Sequence, residues 1–268
     1  MTEIYGTFVG RWYVTLLGLI FLWRAGRQLG WRKTLVYLVA SLGVGILAEN
    51  GSVHFGFPYT GYSFNPALRG HEIFVGSVPL MVPMSYGFLG YFGFAAGRMV
   101  ASGPGRTWAA RWWQEYLLGV VLAVWGLWIF DPVARLGDRW LLGELFRYRG
   151  PGFWFGLPFG SQVGFTGTAV ILVGLLVRLT RDDPDLAVDR WTRHPQLVAL
   201  VVWNLQIAVL AGVAIWLGFD NIGGSALVLW VPAAAVTAVL WSSQRHLAGA
   251  DRPDPVARAE PVPVEVGA

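Results

Sequence analysis

Seven long apolar segments account for most of the chain, and their length is the strongest constraint on its fold. A helix needs about 20 apolar residues to cross roughly 30 Å of hydrocarbon. The segments lie near residues 5–23, 34–50, 72–97, 115–131, 154–177, 197–218 and 225–243. A mean hydropathy of +0.51 and a charged fraction of only 13% are typical of a membrane protein. We therefore predict an all-α, polytopic membrane helix bundle with about seven transmembrane helices.

The distribution of Lys and Arg predicts how this bundle is oriented. The loops after the first, third and fifth segments, together with the C-terminal tail, carry fourteen of the 20 basic residues. The opposite loops carry five, and Arg11 lies inside the first segment. The positive-inside rule then predicts a multi-pass cell-membrane protein with its N-terminus outside and its C-terminus in the cytoplasm. Residues 1–246 should form a single transmembrane domain, followed by a disordered cytoplasmic tail at 247–268.

Composition also excludes several kinds of site. The chain has no cysteine, which rules out disulfides, thiolate metal ligands and cysteine nucleophiles. Its 4 histidines are spread along the chain, so we expect no metal site. The net charge of +4 is accounted for by the basic loops, and no nucleic-acid-binding motif is present.

An aromatic loop follows the second apolar segment, and it is the first candidate site. Glu49 ends that segment, and five aromatic residues follow within a short stretch. These are Phe55, Phe57, Tyr59, Tyr62 and Phe64. Loops between membrane helices are usually polar, so an acid beside clustered rings favours a functional site. The alternative is an aromatic belt that holds the helix at the headgroup level.

Prolines mark two further positions at the outer ends of apolar segments. Asp131 precedes Pro132, and because proline disfavours α geometry in the residue before it, we expect the fourth helix to end at Asp131. Pro79 and Pro83 are four residues apart, so we expect them to bend the third helix into a cavity wall.

Polar and aromatic residues also open the fifth segment. It carries Gln162 in apolar surroundings, and the preceding residues 135–153 have the amphipathic composition of an interfacial helix. Together with the loop after Glu49, these features predict one cavity in the outer leaflet.

These motifs resemble the integral-membrane carotenoid biosynthesis proteins that act as carotenoid hydratases, of the bacterioruberin and γ-carotene type. The matching pieces are Glu49 with Gly56-Phe-Pro-Tyr-Thr-Gly-Tyr62, Val78-Pro-Leu-Met-Val-Pro83, Asp131-Pro132, and Gly156-Leu-Pro-Phe159 leading to Gly164. They cover about residues 45–167 in the family's order. This chain departs from the family with Ser85-Tyr86 where a Trp is usual, and with Gln162 and Gly164-Phe165 where Asn and Gly-Trp are usual.

The resemblance implies a hydro-lyase that adds water across a terminal isoprenoid double bond of a polyene without a cofactor. Glu49 and Asp131 are the candidate catalytic acids, since an acid must protonate the alkene and a second group must orient the water. Aromatic faces would stabilise the carbocation. The predicted substrate-binding residues are Phe57, Tyr59, Tyr62, Pro79, Pro83, Tyr86, Trp128, Trp154 and Gln162. The expected partners are a lipophilic carotenoid substrate and membrane lipids, with other carotenoid biosynthesis enzymes as further candidates.

Two alternatives remain open at the level of the sequence. If the cavity excludes water, the same acid chemistry would cyclise or isomerise the polyene. A non-catalytic carrier of lipids or carotenoids, or a transporter, is a different class of protein. A transporter is less favoured because proline-interrupted segments occur only in the centre of the chain, without a counterpart near 197–243.

Overall fold

The computed structural model describes residues 2–102, 112–136, 145–150, 152–181 and 197–250. Within these ranges the chain is mostly helical. The α-helices are α1 (Thr2–Tyr5), α2 (Trp12–Gln28), α3 (Trp31–Phe55), α4 (Met81–Ser102), α5 (Trp112–Ala134), α6 (Phe159–Thr180), α7 (Leu197–Trp216) and α8 (Asp220–Ala250). Short strands are β1 (Tyr62–Phe64), β2 (Phe74–Val75), β3 (Val78–Pro79) and β4 (Phe146–Tyr148). A π-helical stretch, Gly6–Gly10, lies between α1 and α2.

The helices confirm a helical membrane protein. Among the described residues, α3, α5 and α6 are each long and apolar enough to cross a membrane. The pair Thr2–Gly10 and Trp12–Gln28 passes the same criterion jointly, with a bend of 68° at the break. Such breaks are tolerated in membranes where other parts of the protein satisfy the freed backbone groups.

Helix α4 lies at the centre and packs most closely against α5. A Cβ atom on Gly97 would lie 2.6 Å from the Cα of Gly119, and one on Gly93 would lie 2.8 Å from the backbone nitrogen of Ala123. Small residues let two helix backbones approach in this way, which is how membrane helices gain packing energy. Around this crossing α4 buries Phe92 and Phe94 against its neighbours.

The third apolar segment begins differently from the prediction. Residues before Met81 form a β-hairpin, in which Phe74 pairs with Pro79 and Val75 with Val78. Pro83 lies in the first turn of α4. Backbone amides in a first turn have no hydrogen-bond acceptor within the helix, so the proline breaks no helical hydrogen bond there. The predicted proline bend is therefore wrong, because neither proline interrupts a helix interior.

Helices α3 and α5 both continue beyond the acids that were predicted to end them. Helix α3 ends at Phe55, where Gly56 adopts a left-handed conformation (φ +72°) and its amide donates to the carbonyl of Ser52. Helix α5 passes through Pro132 and ends at Ala134. Glu49 and Asp131 thus lie within the final turns of their helices, facing other helices rather than the outer surface.

Part of the segment predicted as an interfacial helix is a strand. Strand β4 pairs antiparallel with β1, and Tyr62 faces Tyr148 across the pair. Residues 137–144 of that segment lie outside the described residues. At the C-terminus, α8 runs on to Ala250, into the predicted tail, and 251–268 are likewise outside the described ranges.

The α4–α5 crossing makes a direct prediction. Gly97→Val places methyl groups where the backbone of α5 lies, so we expect a loss of roughly 1–3 kcal/mol in stability. Gly43→Val in α3 is the matched control, because a Cβ there meets no atom within 4 Å. Thermal unfolding of both variants in detergent micelles measures the difference. Equal unfolding temperatures would contradict the close contact.

Candidate active site

A large cavity lies between helices α2 to α6 and is covered by strands β1 and β4. It contains about 1040 Å³ of empty space, its opening included. Most of its wall is apolar, with residues such as Leu89, Leu127 and Leu172. Three of the lining residues, Glu49, Glu72 and Asp131, carry carboxyl groups. Carboxyl groups on a mostly apolar wall can transfer protons to or from an apolar ligand.

The two strands supply an aromatic face to this cavity. Because side chains alternate along a strand, Tyr62 and Phe64 of β1 lie on the same face as Phe146 and Tyr148 of β4. The Tyr62 and Tyr148 rings are 5.5 Å apart in an edge-on arrangement, and Phe64 and Phe146 are 6.5 Å apart. All four rings line the cavity.

Glu49 is held by a chain of hydroxyl groups. Its Oε1 lies 2.5 Å from the Tyr86 hydroxyl, which lies 2.6 Å from that of Tyr59. The Tyr59 hydroxyl is 2.9 Å from Thr168 Oγ1, and Thr168 donates in turn to the carbonyl of Gly164. Glu49 is only 4% exposed. The row of hydroxyl groups therefore supplies this buried carboxyl group with the hydrogen bonds that water would otherwise make.

Tyr59 reaches this row of hydroxyl groups because the aromatic loop packs against α6. Gly160, Gly164 and Thr168 recur every four residues, so they share one face of that helix. A Cβ on Gly160 would lie 2.6 Å from Thr60 Oγ1, and one on Gly164 would lie 2.6 Å from the Tyr59 ring. Only residues without a side chain admit the loop at this distance.

Asp131 is held by the unusual end of α5. Pro132 has no amide hydrogen, so the carbonyl of Trp128, four residues earlier, loses its normal helical donor. The indole Nε1 of Trp154 donates to that carbonyl at 2.9 Å and replaces the missing bond. The helix can therefore continue past Pro132 to Ala134, and Asp131 lies in its last turn and lines the cavity. Asp131 is 4% exposed, and its Oδ2 has no hydrogen-bond partner among the described residues.

The neighbouring positive charge does not form an ion pair with Asp131. Arg135 donates to the carbonyl of Phe155 at 3.2 Å and lies over the Tyr148 ring, 5.6 Å from its centre. Burial raises the pKa of Tyr148, which lies outside the helices, so its phenol stays neutral. Tyr148 thus contributes a neutral side chain to the cavity lining.

A third carboxyl group lies at the break between Gly10 and α2. Two nitrogens of Arg11, Nε and Nη2, contact Glu72 Oε1 at 2.9 Å and 2.8 Å. Nη1 of the same arginine donates to the Tyr13 hydroxyl at 3.2 Å. Arg11, Tyr13 and Glu72 all line the cavity.

The structure places the predicted site residues in three groups. Glu49, Asp131, Tyr62 and Tyr86 line the cavity together. Tyr59 lies behind the wall, where it is completely buried and bonded to two lining residues.

The remaining predicted substrate-binding residues lie elsewhere. Phe57 is 76% exposed, as an interfacial belt residue would be. The rings of Trp128 and Trp154 pack together with their centres 5.5 Å apart. Both residues line a separate small cavity of about 180 Å³. Trp154 lies here because its indole donates a hydrogen bond to the Trp128 carbonyl. Pro79 and Pro83 belong to the hairpin and to the first turn of α4, outside the cavity lining.

Gln162 was also predicted to bind substrate, but it does not line the cavity. It is buried in α6, and neither of its amide atoms has a hydrogen-bond partner in the described part of the chain. The structure gives no account of this unpaired amide.

Comparison with known families matches the chain over residues 9–233 to the model of the carotenoid biosynthesis proteins. The chain belongs to the carotenoid biosynthesis protein family. The match confirms the resemblance seen in the motifs and extends it to α7 and part of α8. No curated protein and no solved structure matches the chain.

In this member of the carotenoid biosynthesis family, sequence reasoning missed several cavity residues. The missed residues are Arg11, which pairs with Glu72, and Tyr148 and Thr168, which complete the wall. Glu72 itself is an acid that the sequence offers as a further candidate proton donor. One signal was available, since an arginine inside an apolar segment is costly unless it has a buried partner. Nothing in the sequence indicated Tyr148, because its place depends on strand pairing between distant segments.

The bond between Trp154 and Trp128 predicts a double-mutant cycle. Trp154→Phe removes the indole donor and should cost roughly 1–2 kcal/mol, because the Trp128 carbonyl loses its partner. Pro132→Ala restores a backbone amide that can bond the same carbonyl, so the Trp154→Phe change should cost less in that background. Thermal unfolding in detergent measures all four proteins. An equal cost in both backgrounds would show that the indole bond does not replace the missing helical one.

Proposed function

We propose that this carotenoid biosynthesis protein is a carotenoid hydratase, which adds water across a terminal isoprenoid double bond of a polyene. The observation that carries the proposal is the presence of Glu49 and Asp131 on one apolar, aromatic-lined cavity. Family membership supports a role in carotenoid biosynthesis. The apolar wall suits a hydrocarbon substrate, and the carboxyl groups suit a reaction that begins and ends with proton transfer.

Glu49 is the proposed proton donor. Thr168 has one hydroxyl hydrogen, which it donates to the Gly164 carbonyl. Tyr59 therefore donates to Thr168 or to Tyr86, and the Tyr86 hydroxyl donates to Glu49 Oε1. Oε1 thus acts as an acceptor, and the transferable proton is carried by the other oxygen, Oε2.

The reaction then follows from the wall around the acid. Glu49 transfers its proton to the terminal carbon–carbon double bond, which forms a carbon–hydrogen bond and leaves a tertiary carbocation. The faces of Tyr62, Phe64 and Tyr148 stabilise this cation without a nucleophile that would trap it.

Asp131 is the proposed acceptor in the second half of the reaction. Water attacks the cation through its oxygen, forming the carbon–oxygen bond, and one water hydrogen passes to Asp131. The unpartnered Oδ2 of Asp131 supports this assignment, because a buried carboxylate oxygen without a hydrogen bond is costly. Return of the proton from Asp131 to Glu49, directly or through solvent, completes the cycle.

We also propose that α4, α7 and α8 cross the membrane with the other four spans, which gives seven in total. The division of basic residues, fourteen on one side and five on the other, supports an external N-terminus and a cytoplasmic C-terminus. This topology puts the mouth of the cavity in the outer leaflet.

Reporter fusions test the topology. A C-terminal reporter that is active only in the cytoplasm should be active, and a cysteine introduced at Arg69 should react with a membrane-impermeant thiol reagent from outside. The chain has no native cysteine, so the label reports one position. Labelling of Arg69→Cys only after the cells are opened would overturn the orientation.

Conservative variants of the two acids test the reaction. Glu49→Gln and Asp131→Asn keep size and hydrogen bonding but remove the transferable proton, so both should lower hydration by roughly 100-fold or more. Product is measured as a mass gain of one water in pigments extracted from membranes that contain the protein. Glu115→Gln is the matched control, since Glu115 is a buried acid paired with Arg98 outside the cavity.

The outcomes separate the candidate functions. Wild-type activity in either acid variant would make that residue structural. A product of unchanged mass with a new ring or a shifted double bond would identify a cyclase or isomerase instead. Binding of polyene without any chemical change would favour a carrier.

A further inference from the structure

The cavity has a second polar site that the proposed reaction does not use. Arg11 contacts one oxygen of Glu72, Oε1, through both Nε and Nη2. The other oxygen, Oε2, is buried and has no hydrogen-bond partner within the described ranges. Glu72 is itself only 6% exposed and lines the cavity. The side chain that carries this unpartnered oxygen therefore belongs to the cavity lining.

The backbone around this ion pair is firmly fixed. The chain bends by 68° between Thr2–Gly10 and α2, and Arg11 lies at the bend. Gly6 packs directly on the backbone of His71, where a side chain would collide. Thr7 Oγ1 accepts a hydrogen bond from the amide of Ile73 at 2.8 Å. These contacts, on both sides of Glu72, hold the broken helix against it.

Tyr13 supplies the complementary group. Its hydroxyl oxygen accepts a hydrogen bond from Arg11, which leaves the hydroxyl hydrogen free to donate. The site thus offers one strong acceptor and one donor to the same cavity. A hydroxyl group, which both donates and accepts, matches the two.

We propose that Glu72 Oε2 and the Tyr13 hydroxyl bind an O–H group inside the cavity. The ligand class is a tertiary isoprenoid alcohol or the water from which such an alcohol forms. Binding at this site does not depend on the hydratase activity proposed above, whereas a role in guiding water rests on it. Glu72 would accept the hydrogen of the bound hydroxyl, and Tyr13 would donate to its oxygen.

Binding of a matched pair of probes tests the site directly. The probes are tetrahydromyrcenol, a saturated tertiary isoprenoid alcohol, and the alkane with the same carbon skeleton. Neither can be protonated at a double bond, so catalysis does not interfere. Calorimetric titration of the purified full-length protein in detergent should show roughly tenfold tighter binding of the alcohol, the size expected for a hydrogen bond to a charged group.

Two variants and one control locate the preference. Glu72→Gln removes the charged acceptor, and Tyr13→Phe removes only the donor while leaving the ion pair in place. Both should reduce the preference for the alcohol severalfold. Glu115→Gln should keep it, because the Arg98–Glu115 pair is buried away from the cavity. If Glu72→Gln fails to fold, the preference of the Tyr13→Phe protein for the alcohol over the alkane tests the proposal on its own.

Equal binding of both probes to the wild-type protein would overturn the proposal. So would a wild-type preference that persists in Tyr13→Phe and in any folded Glu72→Gln protein. Absence of hydration in the wild type would instead defeat the proposed function, and the probe preference would still decide the hydroxyl site.

Reaction in heavy water identifies the source of the hydroxyl. Protonation of the alkene followed by proton loss puts deuterium into recovered polyene, whereas capture by water gives the hydrate. If the site holds the attacking water, Tyr13→Phe should lower the ratio of hydrate to deuterated polyene severalfold. An unchanged ratio with a lost probe preference would assign the site to a hydroxyl that the polyene already carries. Either result supports a hydroxyl-binding site.

Discussion

The structure depends on one constraint, that polar groups inside an apolar bundle must find their partners within the protein. Three contacts described above satisfy this requirement, each at its own place in the fold. The indole of Trp154 replaces the amide that Pro132 lacks, and Tyr86 satisfies one oxygen of Glu49. Arg11 neutralises Glu72 at the break before α2. The helices are therefore positioned by a small number of specific bonds as well as by close packing at glycines.

The same requirement also identifies buried polar groups that the described part of the protein does not satisfy. Asp131 Oδ2 and Glu72 Oε2 are buried oxygens of two residues that line the cavity, and they have no partners among the described residues. Leaving such a group unpaired costs roughly 1–3 kcal/mol or more. A ligand or water that supplies the missing hydrogen recovers this free energy. The unpaired oxygens are thus places where binding can be strong in a cavity that is otherwise apolar.

Sequence reasoning predicted the helical membrane class and brought Glu49, Tyr86 and Asp131 to one cavity, because charged residues in apolar segments rarely lack a role. It misplaced Trp128, Trp154 and Phe57, because aromatic composition does not say which way a ring faces. It also missed β4, since pairing of Tyr62 with Tyr148 joins segments that are far apart in the chain. The end of α5 was predicted at Asp131, but the helix continues to Ala134. The hydrogen bond from the Trp154 indole to the Trp128 carbonyl outweighs the tendency of Pro132 to end a helix at the residue before it.

Four of the aromatic residues that line the cavity lie on the paired strands β1 and β4, outside the helices. Exchanging Phe64 or Phe146 would reshape this aromatic face while leaving the α4–α5 crossing untouched. Packing of the bundle and the shape of this part of the cavity wall therefore depend on different residues. Substitutions on β1 and β4 can change what the cavity admits without disturbing the contact between the two helices.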